Sequence, residues 1–212
     1  YFDRLYSRDQ PTYGLLPSSE IMQFLRESPR QGKALDLGSG LGRNALARAA
    51  MGLNVNAVEA APVALERMAG QARTLGLDGK VRGIPGDIRR VDVGAGPFSV
   101  IVAATSPDHV PLVDCAAMLP RLVSMLAPDG VMFVEVHTTD DPGCTGEGPP
   151  SPTASAVQHY FPPGQLLEMC QPLLRIVQYH ERLEWDDTHG PRHQHGKAVM
   201  LGLSHGCPLA RV

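Results

Sequence analysis

Three alternate glycines follow a short apolar run within the segment 34–44. Gly38, Gly40 and Gly42 remove every Cβ from the turn, so the backbone can adopt dihedrals that other residues avoid and a ligand can approach the main chain closely. The residues after the turn predict a helix, whose free N–H groups and positive dipole end favour an anionic group. That group can be a phosphate or, equally, the carboxylate of an amino acid.

An acidic residue downstream decides between these ligands. The segment 53–59 predicts a strand ending at Glu59, about 20 residues after the glycine turn, where a βαβ unit brings a carboxylate onto a ribose. A nucleoside is therefore expected. The glycines follow the pattern G-x-G-x-G rather than the G-x-G-x-x-G of dinucleotide sites, and the shorter turn leaves less room for a pyrophosphate. These features predict S-adenosylmethionine, a nucleoside that carries an amino-acid carboxylate and no phosphate.

The chain resembles the class I S-adenosylmethionine-dependent methyltransferases, whose first motif, (D/E)-x-G-x-G-x-G, is matched by Asp36 and the three glycines. Glu59 stands where that family has its ribose-binding acid, and Gly86-Asp87-Ile88 where it has the carboxylate that meets the adenine amino group. The resemblance implies S-adenosyl-L-methionine as cofactor and S-adenosyl-L-homocysteine as product. The expected cofactor-binding residues are Asp36, Gly38, Ser39, Gly40, Gly42, Asn44, Glu59, Ala60, Asp87, Ile88 and Ala103.

The end of the chain supplies the candidate catalytic residues. His189, His193 and His195 surround Arg192, and histidine has a pKa that suits a base near neutrality. This ending, together with Gly42-Arg43-Asn44 before an alanine-rich helix, resembles the tellurite-resistance (TehB-like) branch of small-molecule methyltransferases. The resemblance implies that Arg192 faces the substrate pocket, where it would bind an oxyanion or carboxylate acceptor. We therefore expect Arg192, His193 and His189 to act in catalysis.

The same histidines leave a metal site and a plain surface hairpin as alternatives. His193 and His195 are two apart on a predicted strand and so share a face, with His189 at the adjacent turn. A closed zinc site needs four ligands, and the only nearby additions are Asp186 and Asp187. We therefore expect no bound metal.

Two further segments are expected near the acceptor. The aromatic opening of the chain resembles the N-terminal segment that many small-molecule methyltransferases fold over the cofactor, with Tyr13 as the lid contact; packing of the helix 19–26 is its alternative role. Thr105 follows the fourth predicted strand, where the family's substrate-facing loop begins, although Ser106-Pro107 also fits an ordinary turn. The expected substrate and lid contacts are Tyr13, Thr105 and His195.

Strand-like and helix-like segments alternate along the chain, which predicts a parallel sheet. Two late apolar runs, Leu174–Glu184 and Lys197–Leu203, predict a C-terminal antiparallel hairpin. We expect an α/β fold, a Rossmann-like seven-stranded mostly parallel sheet with helices on both faces. The first five strands are predicted at 33–37, 54–59, 81–85, 98–103 and 131–137, and the domains at 1–30 (lid and helix), 31–205 (methyltransferase domain) and 206–212 (tail).

The segment 138–152 is dense in Asp, Gly and Pro, which predicts a loop rather than a regular core element. It leaves the carboxyl end of a strand, where ligands bind in open α/β sheets, so it can cover the substrate. A disordered surface loop is the alternative.

Composition limits the class of protein and its partners. The 212 residues, 43% of them hydrophobic, fit one domain with an ample core. A net charge of -3 gives no basic field for nucleic acid, and no apolar run approaches the roughly 20 residues that cross a membrane. Four cysteines without a C-x-x-C pair disfavour zinc ribbons and disulfide scaffolds. We expect a cytoplasmic monomer or homodimer with a small-molecule substrate.

Methyl transfer from S-adenosylmethionine to a small nucleophile is the leading hypothesis for the function. The acceptor can be a chalcogen oxyanion, a thiol or a carboxylate-bearing metabolite. Because the reaction is an in-line displacement, much of its acceleration can come from alignment of the nucleophile with the methyl group. The alternatives are an NAD(P)-dependent oxidoreductase built on the same βαβ unit and a non-catalytic module that binds S-adenosylmethionine.

Overall fold

The computed structural model describes residues 1–8, 14, 16–149, 151–187 and 191–207. The predicted roles of Tyr13 and His189 therefore fall outside the described residues. Seven strands form one sheet in the order β3-β2-β1-β4-β5-β7-β6. The strands are β1 Lys33–Leu37, β2 Asn54–Glu59, β3 Val81–Pro85, β4 Phe98–Ala104, β5 Leu126–His137, β6 Arg175–Asp186 and β7 His193–Leu203.

The first five strands are parallel, and β7 pairs antiparallel with β5 on one side and β6 on the other. This arrangement confirms the predicted fold class. Helical crossovers join β1 to β2, β2 to β3 and β4 to β5, as parallel strands require, whereas β6 and β7 are antiparallel neighbours. The carboxyl ends of β1, β2, β4 and β5 meet at one edge of the sheet, and β7 begins at that same edge.

Helices cover both faces of the sheet and bury its central strands, whereas the outer strands β3 and β6 are partly exposed. Leu35 and Leu37 of β1 pack in one apolar cluster, with side chains of α5 and α7, whereas Ala34 packs in the other, with side chains of α2, α3 and α4. This alternation is the pleat of a strand. The α-helices are α1 Phe2–Tyr6, α2 Ser19–Glu27, α3 Arg43–Ala50, α4 Pro62–Thr74, α5 Leu112–Ser124, α6 Pro142–Thr145 and α7 Gln165–Cys170.

β4 and β6 differ from their predicted bounds by one or two residues, and β5 and β7 begin earlier than predicted by more than that. β5 begins at Leu126 and passes through the Pro128-Asp129-Gly130 turn, because the turn forms an irregularity in the pairing with β4, whose register jumps from Leu126 to Val131. β7 begins at His193, four residues before the predicted start, since its pairing with β6 continues as far as Asp186.

The segment 138–152 is more ordered than its composition suggests. It contains the short helix α6, and Asp141 is buried at the start of that helix, where its side chain accepts the N–H of Gly143 at 2.7 Å. An aspartate at a helix N-terminus satisfies a backbone donor that would otherwise have no partner. The expectation that this segment holds no core element was therefore wrong at Asp141.

All four cysteines are free thiols. Among the helices of the described residues, none has the length and apolar character that crossing a membrane requires.

Candidate active site

A cavity of about 230 Å³ opens at the carboxyl ends of β1, β2 and β4. Nine of the eleven predicted cofactor residues line it, namely Asp36, Gly38, Ser39, Gly40, Asn44, Glu59, Ala60, Asp87 and Ile88. Gly42 lies behind the wall, as the N-cap of α3. Ala103 is fully buried in β4, and the next two residues, Ala104 and Thr105, line the cavity instead.

The glycine turn has the backbone conformation that its sequence predicts. Gly38, Gly40 and Gly42 have φ of 66°, 53° and 88°, a region that other residues rarely adopt. Packing also requires glycine here: a Cβ on Gly38 would lie 2.5 Å from the Cβ of Ser106, and a Cβ on Gly42 would lie 2.5 Å from the Cγ of Met68. The turn is therefore fixed by its own dihedrals and by the elements around it.

Glu59 connects the end of β2 to this turn. Its side chain is 5% exposed and accepts two backbone N–H groups, that of Gly40 at 2.9 Å on Oε2 and that of Ala61 at 2.9 Å on Oε1. Burial raises the pKa of Glu59, against the lowering effect of these hydrogen bonds. A carboxylate has about four acceptor positions, so two remain for hydroxyl groups in the cavity.

A buried ion pair supports the turn from the other side. The guanidinium of Arg48, on α3, lies 2.8 Å from Asp36 Oδ2, and both side chains are almost fully buried. Burial raises the pKa of Asp36, although Arg48 acts to lower it, and burial lowers the pKa of Arg48. Asn44 closes the cavity beside them, since its Oδ1 accepts the N–H of Ser18 at 2.9 Å.

Asp87 lines the cavity, but its carboxylate is occupied by a neighbour. Arg89 donates to both of its oxygens, with Nε 2.9 Å from Oδ1 and 3.0 Å from Oδ2. These contacts hold the pKa of Asp87 below its usual range. Arg89 also donates to Asp114 at 2.9 Å. For Asp87 to contact an adenine amino group as predicted, Arg89 must release at least one of its hydrogen bonds to the Asp87 carboxylate.

The N-terminal helix α1 contributes two aromatic rings to the cavity. Phe2 and Tyr6 are stacked, with centroids 6.1 Å apart, and both line the cavity. Arg67 of α4 holds the helix in place by donating to the carbonyls of Tyr6 and Arg8 at 2.6 Å each. Two aromatic side chains of the N-terminal segment therefore line the cavity, and their role as a cover over the cofactor stays a prediction.

The segment after β4 carries a residue that sequence reasoning missed. Thr105 lines the cavity as predicted, and His109, at the end of the 3₁₀ turn Pro107–His109, lines it too. His109 Nδ1 lies 2.9 Å from the carbonyl oxygen of Ala156, and its buried Nε2 has no hydrogen-bond partner among the described residues. The sequence signal that could have indicated His109 is its position five residues after the end of β4, at the edge of the sheet where the cavity opens.

A second cavity, of about 250 Å³, adjoins the first, since Gly14 and Arg43 line both. Glu135 of β5 is 4% exposed, and its Oε1 has no hydrogen-bond partner among the described residues, although Arg43 and Lys197 nitrogens lie 3.9 Å away. The lining is thus charged with both signs. The charged residues are Glu20, Arg43, Glu135, Arg182, Glu184, Asp186, Asp187 and Lys197.

Arg192 is exposed and lies outside both cavities. Its guanidinium stacks over the ring of Trp185, 4.5 Å from the centroid, and Trp185 lines the second cavity. This contact places Arg192 near the rim of that cavity through the tryptophan. Its role in binding the acceptor stays a prediction.

His193 and His195 lie inside the protein, at 1% and 2% exposure, so the surface-hairpin interpretation is wrong for both. Their Nε2 atoms are 3.0 Å apart, and His195 Nδ1 lies 3.1 Å from Asp141 Oδ2. The His195 ring also contacts the ring of His137, with centroids 4.9 Å apart. Neither His193 nor His195 lines the two cavities.

Asp108 orients His137 at the end of β5. The carboxylate binds His137 Nδ1 and also accepts the backbone N–H of His137 at 3.0 Å. Although burial acts in the opposite direction on each group, the pKa of Asp108 is lowered to about 2 and that of His137 is raised, because the two attract each other. Neither residue was a predicted site residue.

Comparison with known proteins relates the sequence to a protein family. Residues 34–130 match a family model described as a methyltransferase domain. No curated protein matches the sequence.

Three solved structures have the same fold. One, which concerns the conversion of a disulfide bond into a thioacetal group during echinomycin biosynthesis, is 17% identical, with 96% of this chain and 91% of that chain covered and a TM-score of 0.72. TehB from Haemophilus influenzae is also 17% identical, with 96% and 66% covered and a TM-score of 0.72. The CcbJ methyltransferase from Streptomyces caelestis is 18% identical, with 96% of each chain covered and a TM-score of 0.66.

The seven-stranded sheet order, with its C-terminal antiparallel hairpin, is that of a Rossmann-like methyltransferase fold. The match over residues 34–130 identifies a methyltransferase domain, and it supports an S-adenosylmethionine-dependent methyltransferase as the class of enzyme, with S-adenosylmethionine as cofactor. The oxidoreductase alternative receives no support from these comparisons.

Proposed function

We propose that the enzyme methylates a small polar acceptor that carries an ionisable X–H group, such as a thiol, and that His109 accepts the proton. In this proposal S-adenosylmethionine occupies the first cavity, with its ribose on Glu59. The acceptor enters from the adjoining charged cavity. When bound, S-adenosylmethionine would supply an electrophilic methyl group, and the acceptor that takes this group would give its proton to His109 Nε2.

The tautomer of His109 carries this proposal. A carbonyl oxygen can only accept, so the neutral ring must have its proton on Nδ1, which faces the carbonyl of Ala156 at 2.9 Å. Nε2 then has a lone pair. His109 lines the cavity, and its Nε2 has no hydrogen-bond partner among the described residues, so it can accept a proton from a bound molecule. Nε2 has almost no accessible surface, so this contact requires a shift of a covering group such as the Phe2 ring, whose centroid is 5.4 Å from that of His109.

A base at this position discriminates among the three predicted acceptor classes. A chalcogen oxyanion and a carboxylate already present a lone pair at neutral pH, so neither needs a proton removed. A thiol is mostly protonated at that pH, with an ordinary pKa of about 8.5, and becomes a strong nucleophile when it ionises. His109 therefore supports a thiol acceptor over the other two.

The second cavity supports a small and polar acceptor. Arg43 lines both cavities, so a molecule in the second cavity lies beside the cofactor cavity. Glu135 adds a buried carboxylate oxygen that can receive a hydrogen bond from such a molecule. With both signs of charge on its walls, the cavity suits a molecule that has a cationic and an anionic group.

The proposal is tested with S-adenosylmethionine labelled in its methyl group and a panel of acceptors: small thiols, sulfide, phenols, amines, carboxylates, selenite and tellurite. We expect label in thiols, and a loss of about 10²- to 10⁴-fold in turnover for His109→Gln, the range typical of a general base. S-adenosylhomocysteine affinity is expected to change little. The matched control is His205→Gln, at an exposed histidine remote from the cavities.

Two results would contradict the proposal. Transfer confined to the oxyanions or carboxylates would remove the need for a base. Full activity of His109→Gln on the best thiol, across a pH profile, would show that His109 does not take the proton.

A further inference from the structure

The buried histidines behind the active site form a group that the methyl-transfer chemistry does not use. His137, Asp141 and His195 each offer one ligand-type atom, and these atoms all lie within 4.8 Å of one another. All three residues are buried, and they come from the end of β5, the start of α6 and β7. We propose that these three residues bind a divalent transition-metal ion, with Zn²⁺ as the best match.

The donor set determines the class of metal. Two imidazole nitrogens and one carboxylate oxygen suit Zn²⁺, Co²⁺ or Ni²⁺, whereas Mg²⁺ and Ca²⁺ prefer oxygen ligands alone. Distances of roughly 2.0–2.1 Å from Zn²⁺ place two tetrahedral ligand atoms about 3.3 Å apart. The observed 3.1 Å between His195 Nδ1 and Asp141 Oδ2 is close to this value.

Groups in contact with the three residues hold them in place. Asp108 binds Nδ1 of His137, which fixes that ring and leaves Nε2 for a metal; a carboxylate bound to the other nitrogen of a ligating histidine is a recurring feature of zinc sites. Asp141 is held by the N–H of Gly143 on Oδ1 and by the N–H of Gly196, 3.1 Å from Oδ2. The site is thus organised by backbone and carboxylate partners.

The close approach of β7 to the segment before α6 depends on Gly196. A Cβ at this position would lie 2.6 Å from the backbone nitrogen of Asp141 and 2.6 Å from Thr138 Oγ1. Any side chain here would push Asp141 away from His195. Glycine therefore allows the two ligands to meet across 54 residues of sequence.

The charges around the group suit a cation. Asp108 and Asp141 contribute two carboxylates in direct contact with the histidines. The nearest cationic side chain of β7, Lys197, is paired with Glu184 and lies 3.9 Å from Glu135. Asp186 Oδ2 lies 4.0 Å from His195 Nε2 and adds a third acid nearby. His193 Nε2, 3.0 Å from His195 Nε2, also faces the group.

The position of the group implies a structural role for the ion. Asp108 lies in the same 3₁₀ turn as His109, which lines the cofactor cavity. An ion that fixes His137 would, through Asp108, fix the turn that positions His109. The binding claim is independent of the methyl acceptor and of the proposed base.

The test uses the full chain without a histidine tag, stripped with a chelator and titrated by calorimetry with Zn²⁺, Co²⁺ and Mg²⁺ in turn. We expect one Zn²⁺ or Co²⁺ per chain, visible Co²⁺ absorption typical of four- or five-coordinate sites, and no Mg²⁺ binding. Asp108→Asn should weaken Zn²⁺ affinity by roughly 10- to 100-fold, the usual cost of losing an outer partner, and His137→Gln or His195→Gln by more.

Control variants separate this site from adventitious binding. His205→Gln and Cys144→Ser change an exposed histidine and an exposed thiol, and both should bind Zn²⁺ as the unchanged chain does. S-adenosylhomocysteine binding and circular dichroism report whether each variant is folded. If the ligand variants do not fold, the Co²⁺ absorption of the unchanged chain decides alone.

The proposal is overturned if neither Zn²⁺ nor Co²⁺ binds the unchanged chain at micromolar concentration, if bound Co²⁺ shows only six-coordinate absorption, or if folded His137→Gln and His195→Gln retain full affinity.

Discussion

Glu59→Ala removes the carboxylate that connects β2 to the glycine turn. The unchanged carboxylate accepts the N–H groups of Gly40 and Ala61, and two of its acceptor positions remain open to the cavity. If ribose hydroxyls use these two positions, the variant loses hydrogen bonds to a charged acceptor. The binding of cofactor should then weaken while the chain remains folded.

The magnitude follows from the hydrogen bonds. A hydrogen bond to a charged group contributes about 1.5–3 kcal/mol, so we expect a loss of at least this size in the free energy of binding. That corresponds to a dissociation constant for S-adenosylhomocysteine that is roughly 10- to 150-fold larger. In the variant the N–H groups of Gly40 and Ala61 also lose their hydrogen-bond acceptor, so the free energy of unfolding should fall by about 1–3 kcal/mol.

The assay is calorimetric titration with S-adenosylhomocysteine, well below the melting temperature of the variant. Glu66→Ala, at an exposed position of α4, is the matched control and should bind as the unchanged chain does. Glu59→Gln keeps one acceptor oxygen and should give an intermediate affinity. A folded Glu59→Ala chain that binds S-adenosylhomocysteine within twofold of the unchanged affinity would refute the role of Glu59.

Two further variants test the acceptor side and the support of the turn. Arg192→Ala should lower kcat/KM for the acceptor and leave S-adenosylhomocysteine affinity unchanged; an equal loss in both would contradict an acceptor role. Arg48→Met leaves Asp36 buried without its partner and should lower the free energy of unfolding by about 3–5 kcal/mol in denaturant titrations at neutral pH. Burial raises the pKa of Asp36 in the folded state, so the folded variant takes up a proton more readily than the unfolded chain. The stability of the variant should therefore recover as the pH falls through that raised pKa. It should be lost again as the pH rises. If the loss in the free energy of unfolding does not depend on pH, the buried charge of Asp36 is not its cause.

The cofactor half of the site could be predicted because its parts are consecutive in the sequence. The glycine turn, the helix after it and Glu59 belong to one βαβ unit, whose geometry is nearly invariant. The turn, its positive φ angles and the place of Glu59 therefore follow from motif spacing, and the family resemblance implies the other cavity-lining residues. Strand bounds followed for the same reason, since β1, β2 and β3 end where their apolar runs end.

Side-chain pairings between distant segments could not be predicted. His137 and His195 are 58 positions apart, and their contact depends on β7 lying beside β5, whereas sequence order alone would place β6 there. Asp141 was hidden in a segment whose composition indicates a loop. The sequence disfavours a metal site because Asp186 and Asp187 are the only nearby additions to the histidines, whereas in space His195 lies beside His137 and Asp141.

Local competition also escapes sequence analysis. Asp87 has the spacing of an adenine contact, but whether it faces the ligand depends on the rotamer of Arg89, two residues later. Likewise, His109 has no special motif around it. Its importance follows from a backbone carbonyl at Ala156, 47 residues further along, which sets the position of its proton.

The sheet order has a consequence for how much of this chain is needed to make a stable unit. The recognisable portion, 34–130, stops before most of β5 and omits β6 and β7. If the chain were truncated after residue 130, β4 would become an outer strand whose peptide groups lack the partners that β5 provides. Its apolar side chains would also be partly exposed on both faces. An exposed strand of this kind can pair with another copy of the chain. We therefore expect the part that carries the glycine turn to stay soluble only when it is expressed together with β5, β6 and β7.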